Sequence, residues 1–212
     1  MNRRHYLCLA AIGAVGIALP GLPVWAQGAD SARFRTLKTP APTDAETGKI
    51  EVIEFFWFGC PHCYSLEPLI NAWAKKLPAD VVFRRQHVPF REPKHQQLFF
   101  TLQAIGQDSE KVLTTVFRAI HEQRKRMLDP KEMTEVLAEV GVDPKAFNDA
   151  FNSFGVRTRQ QRANKLADAY DLDGVPALGV NGRYLTAPSM AGSNEAALRV
   201  VDELVARERK GA

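Results

Sequence analysis

Cysteine is scarce in this 212-residue chain: three residues, at positions 8, 60 and 63. There is no second CxxC, so the four ligands of a structural zinc site are missing. Tyr64, not histidine, follows Cys63, which excludes haem attachment through this pair. Charge of one sign is also lacking. The net charge is only +4, too small an excess to give a reason to invoke nucleic acid. Internal repeats and low-complexity tracts are absent. The one long apolar run, residues 7–19, is shorter than the roughly 18 residues of a membrane span. Pro20, Gly21 and Pro23 interrupt its continuation.

What is present at the start is the pattern of an export signal. Arg3 and Arg4 precede the apolar run, and Val24–Trp25–Ala26 offers a cleavage point near Ala26. The paired arginines also resemble a twin-arginine signal, which alters the route and not the destination. Residues 1–26 are therefore read as a signal peptide. Its removal takes Cys8 away and lowers the net charge to +2. The exported chain keeps Cys60 and Cys63, with no thiol left over and no second pair for a disulfide framework.

Apolar periodicity outlines the rest. A leading strand is expected at 33–38, and a nearly continuous apolar run at 49–58 reads as a strand covered on both faces. Leu66, Leu69, Ile70, Trp73 and Leu77 recur at helical spacing up to Pro78, with Pro68 expected to kink the helix. A second long strand follows at 80–90. From 94 to 169 the texture is helical: Asp108–Ser109 as a cap, DPKE at 129–132 as a capping box, and a second Asp–Pro at 143–144 before Phe147, Phe151 and Phe154. The basic stretch RTRQQR, 157–162, reads as a solvated helix face. Strand texture returns at 174–188 around Asn181–Gly182, a type I′ hairpin signal, and an amphipathic helix closes the chain. Strands interrupted by one helical block make an α/β fold with an insertion.

Cys60-Pro61-His62-Cys63 follows the apolar strand directly. A permanent staple is a poor use of this pair, because closing so short a loop removes little chain entropy. Redox chemistry fits the local physics. Pro61 suits the first helical position, which makes Cys60 the N-cap. A Cys60 thiolate there faces unpaired N–H groups and the positive helix end, and His62 adds a donor and, when protonated, a charge. Cys63 lies one turn deeper without those partners and is expected to keep a normal or raised pKa. A stabilised thiolate favours the reduced protein, so the disulfide becomes an oxidant.

CPHC between an EFF strand and a helix, the inserted helices and GVPALGVNG before the last hairpin together resemble the DsbA family. The resemblance runs over about residues 33–208. It implies a thioredoxin-like fold with an inserted all-helical subdomain: 27–93, then 94–169 as the insertion, then 170–212. It implies a periplasmic dithiol oxidase that passes its Cys60–Cys63 disulfide to reduced, unfolded exported proteins. A DsbB-like quinone-linked inner-membrane partner would reoxidise it. No cofactor, metal or nucleic acid is expected. By the same resemblance Val175–Pro176 is a cis-proline loop that pairs with substrate backbone, and Glu54 is a buried acid relaying a proton for Cys63.

Phe55, Phe56 and Phe58 are read as core, as are Trp57 and Phe90 in preference to a recognition groove. His87, His95 and His121 are read as ordinary polar positions. With no apolar edge or heptad left unused, a monomer is expected. Two other functions remain open: a disulfide isomerase or reductase on the same fold, and a holdase-like binding module with incidental cysteines. Isomerases of this compartment dimerise through an extra N-terminal domain, for which few residues precede the first strand.

Overall fold

A computed structural model of the chain describes residues 33–211. The signal segment, Cys8 and the cleavage point expected near Ala26 lie outside the described residues. A five-stranded sheet forms in the order β1-β5-β4-β2-β3 from β1 (Phe34–Thr36), β2 (Ile50–Phe56), β3 (Val81–His87), β4 (Ala177–Val180) and β5 (Tyr184–Thr186). Only β2 and β3 are parallel; helix α1 (Pro61–Ala74) crosses between them, as parallel neighbours require. All seven residues of β2 are buried, Glu51 and Glu54 among them, as its nearly continuous apolar texture predicted.

Alternation along β2 assigns its faces. Val52 packs with Leu66 and Ile70 of α1 and with Ala197 and Val201 of α8 (Asn194–Gly211). Ile53 and Phe55 face the other way, onto Leu166 and Tyr170. The last two residues belong to α6 (Phe154–Ala169) and its C-cap. Between β3 and β4 stand α2 (Pro93–Ala104), α3 (Glu110–His121), α4 (Pro130–Ala138), α5 (Pro144–Phe151) and then α6. The short α7 (Pro188–Ala191) precedes α8. The helical block does not keep a separate core. Phe56, Phe58, Cys60 and Cys63 share one cluster with Phe99, Phe117, Met133, Phe147 and Phe151.

Local signals hold where short-range chemistry suffices. Asn181 and Gly182 both take positive φ, 49° and 65°, and the Arg183 N–H closes the turn on Val180 O at 2.9 Å. A Cβ on Gly182 would lie 2.2 Å from the Ala41 carbonyl oxygen, so glycine serves close approach as well as conformation. Helix α1 runs through Pro68 and stops at Ala74, before Pro78. Three expectations change. Asp129 caps the Lys131 N–H as expected, yet Glu132 accepts from the Met127 N–H at 2.6 Å, outside the box. Ser109 occupies an N-cap but makes no side-chain cap bond. Phe154 is 78% exposed, because it opens α6 instead of extending the apolar stripe of α5.

Candidate active site

Cys60 is the N-cap of α1 with Pro61 at the first helical position; its own N–H is used by the Trp57 carbonyl at 3.0 Å. The backbone beyond Cys60 therefore points its free N–H groups at the sulfur. Both cysteines are free thiols and buried, Cys60 at 6% exposure and Cys63 completely. Their acidities separate. The Cys60 thiol is lowered from 9.0 to about 6, first by the hydrogen bond from Cys63 and then, against the opposing effect of burial, by the N–H groups of Cys63 and His62. The His62 charge contributes least of these, in keeping with its exposed position. The partner cysteine thus does more than the intervening histidine. Burial, followed by the Cys60 sulfur itself, pushes the Cys63 thiol well above 9.0.

The Val175–Pro176 bond is cis, and the Val175 carbonyl accepts the Cys60 Sγ–H at 3.5 Å. Tertiary structure thus brings residues 115 positions apart onto one sulfur. Glu54 is 1% exposed, and burial raises its pKa even though Arg85 opposes the rise. Its direct partner is Arg85, whose Nε meets Glu54 Oε2 at 2.8 Å. The same guanidinium reaches Glu67 Oε2 at 3.0 Å and Asn71 Oδ1 at 2.7 Å. Thr114 of α3 donates to Glu67 at 3.2 Å. Among the described residues no hydrogen bond joins Glu54 to Cys63; Glu54 raises the Cys63 thiol only through its charge, as the smallest contribution. Arg85 and Glu67 escaped sequence reading. For Arg85 the signal was a pair of arginines inside strand 80–90 opposite carboxylates in strand 49–58.

The three histidines are not ordinary polar positions. His87 and His95 are buried, and two of the three, His87 and His121, hold the peptide at Phe58 just before Cys60. The Phe58 N–H donates to His87 Nε2 at 3.2 Å, while His121 Nε2 donates to the Phe58 carbonyl at 2.8 Å. Accepting at Nε2 requires the neutral ring, and burial holds His87 well below the usual histidine range. His121 comes from the helical block and stacks on Tyr64, centroids 4.9 Å apart. The helical block therefore holds the peptide two residues before Cys60. Replacing His87 with leucine leaves a buried N–H unpaired, an expected loss of about 1–3 kcal/mol. Chemical denaturation together with faster exchange of the Phe58 amide will register it.

Trp57 is half-buried, and its ring fills the space a residue-59 side chain would need. A Cβ on Gly59 would lie 2.3 Å from the indole Cζ2. The indole packs against the core cluster that holds Cys60 and tilts against His95 at 6.2 Å. Gly59→Ala is expected to displace the indole at a cost of about 1–3 kcal/mol, the usual range for overpacking. Tryptophan fluorescence reads the displacement, and an unaltered spectrum contradicts it. Phe90, by contrast, is 39% exposed and not core.

Comparison with known proteins agrees with this geometry. A family model described as a DSBA-like thioredoxin domain matches residues 51–197. A thiol:disulfide interchange protein DsbA of Burkholderia cepacia is 43% identical over 201 residues, covering 94% of this chain and 92% of the relative. The Azotobacter vinelandii DsbA is 49% identical over 179 residues, with coverage of 84% and 83%. The crystal structure of Pseudomonas aeruginosa DsbA superposes with a TM-score of 0.80 at 42% identity, over 84% of this chain and 93% of that one. An α/β sheet carrying a CPHC helix N-terminus, a cis-proline loop and a block of helices between its strands places this chain in the DsbA family of thioredoxin-fold proteins.

Proposed function

We propose that the chain is a periplasmic thiol:disulfide oxidoreductase that donates a Cys60–Cys63 disulfide to reduced, newly exported proteins. The observation that carries this reading is the opposed acidity of the two sulfurs, about 6 for Cys60 and well above 9.0 for Cys63. A client thiolate attacks the Cys60 sulfur; the enzyme's S–S bond breaks as the mixed disulfide forms, and Cys63 leaves with the electron pair. Its high proton affinity draws a proton, for which Glu54 serves as the buried relay. A second client thiolate then attacks the client sulfur of the mixed disulfide and expels Cys60. That departure is easy because Cys60 is stable as an anion. The client ends oxidised by two electrons and the enzyme reduced by two.

Val175–Pro176 supplies the backbone against which an extended client lies, and Pro61 and His62 shape the helix end. Residues 27–93 and 170–212 form the thioredoxin-like part and 94–169 the inserted subdomain, after cleavage of 1–26. A DsbB-like quinone-linked membrane protein restores the disulfide, and the enzyme works as a monomer without metal or cofactor. The thiolate shift acts on the redox balance with a definite size. At pH 7, moving the thiol from 9.0 to about 6 favours the reduced form by about 1.4 kcal/mol, or about 30 mV. Equilibration with glutathione tests the assignment. An oxidising disulfide is expected; a dithiol that holds its disulfide as firmly as thioredoxin does would reassign the chain to the reductase or isomerase reading.

A further inference from the structure

The basic stretch on α6 lines a cavity that the redox chemistry leaves unused. This cavity, about 510 Å³, opens between the outer edge of β3, α2, α6 and the segment joining β1 to β2. Its size falls in the range of small-molecule sites, roughly 300–1,000 Å³. Arg159, Arg162 and Lys165 stand at three-residue steps along its α6 wall, which spreads their Cα positions over about 9 Å. Among the described residues Arg162 and Lys165 have no ion pair or hydrogen bond, and Arg159 reaches only Gln103 Oε1 at 3.5 Å.

The other two cations of the lining are already committed. Arg84 grips the buried Glu51 through Nε at 2.7 Å and Nη2 at 3.2 Å, and it meets Asp44 at 3.5 Å. Arg85 is held by Glu54 and Glu67. Asp44 is the single carboxylate of the lining. Three positive charges are left without a counterion, above apolar side chains of Phe100, Ala163 and Leu166. Two blander explanations cover part of this. Charged side chains on a helix face are commonly just solvated, and arginines on an edge strand guard it against pairing with another chain. Neither accounts for a concave site in which unpaired cations border an apolar floor. Guanidinium groups favour oxyanions of carboxylate or phosphate geometry, and the floor suits an apolar body.

We propose that this groove is a binding site for a small organic anion, one bearing two or more negative charges on an apolar or aromatic body. Neither cysteine lines the site, although Arg85 in its wall also holds Glu54, so occupancy and disulfide transfer are followed in separate assays. The probe is 2-naphthyl phosphate, titrated into the full mature chain by calorimetry and followed by amide chemical shifts. Expected are one saturable site, shifts confined to β3, α2, α6 and the segment joining β1 to β2, and weakening of at least tenfold in Arg162→Glu/Lys165→Glu. Both substituted residues are exposed, and the variant retains its fold and its disulfide transfer. Inorganic phosphate, which offers charge alone, and 2-naphthol, which offers the ring alone, each bind at least tenfold more weakly. The proposal is overturned by absence of binding, by equal binding in the double variant, or by either control matching the probe. It is also overturned if an extended polyglutamate peptide binds more tightly than the naphthyl phosphate, for the groove would then belong to an acidic protein partner.

Discussion

Replacing Cys60 with serine will bring disulfide transfer down to the uncatalysed background, because Cys63, buried and left without its partner, has no intramolecular disulfide to donate. Thiolate absorbance of the reduced protein should titrate with a midpoint near pH 6. In Cys60→Ser that transition disappears, and burial, the largest of the causes that raise the Cys63 thiol, still opposes ionisation of the one that remains. Cys63→Ala moves the Cys60 midpoint upward from about 6, since the largest of its stabilising influences is the hydrogen bond from Cys63. His62→Ala moves it less, its charge being the smallest of the stabilising causes. The opposite order would overturn the electrostatic account. Should Cys60→Ser still suppress client aggregation as the unsubstituted chain does, with no disulfide transfer detectable in either, the holdase reading would take over.

The same shift makes stability depend on pH with a predictable sign. The Cys60 pKa is lower in the folded state, so between about 6 and 9 the unfolded chain binds the proton that the folded one has lost. The contribution is complete above pH 9, where it reaches at most about 4 kcal/mol, and it vanishes as pH falls through about 6. Only the reduced protein has it. The difference in unfolding free energy between reduced and oxidised forms should therefore shift toward the reduced form as pH rises across this interval. A difference that stays flat from pH 6 to 9 contradicts the assignment.

Arg85→Met is expected to be the most damaging substitution outside the cysteines. Arg85 is the cation between two buried carboxylates, Glu54 and Glu67, and its own side chain is nearly buried. Removing one partner of such a group leaves charge uncompensated in the interior, at a cost of about 3–5 kcal/mol. Glu54 adds a pH signature. Its folded pKa already lies above 4.5, and loss of the opposing guanidinium lifts it further. A raised acid contributes its stability below the unfolded value and loses it as pH rises through the folded one. The deficit of the variant should therefore be largest at neutral pH and shrink on acidification toward 4.5. Urea denaturation at the two pH values measures it, and a deficit independent of pH would show that packing, not charge, sets the loss.

Those two residues mark what was and was not legible in the chain. Pro61 after Cys60, the nearly continuous apolar run of β2 and the Asn181–Gly182 turn act over a few residues, so composition and spacing suffice to read them. Glu54 stood out as a carboxylate inside an apolar strand, while its partners did not. Arg85 lies 31 positions away on the neighbouring strand, and Glu67 comes from the helix packed across it. Only the sheet register makes them one group. His87 and His121 are 29 and 63 positions from the Phe58 peptide they hold, and nothing in their local sequence distinguishes them from surface histidines.

By itself the sequence determined the strand and helix succession, the placement of Cys60 at a helix start and the close spacing of Cys60 and Cys63. Periodicity, capping and cysteine count are local or compositional quantities. Tertiary structure alone decided how acidic each sulfur becomes, what Glu54 leans on, why residue 59 has no side chain and where three cations of α6 gather around a cavity. Each of these depends on burial and on charges brought close from distant positions, and a pKa or a steric limit is set by what surrounds a group in space.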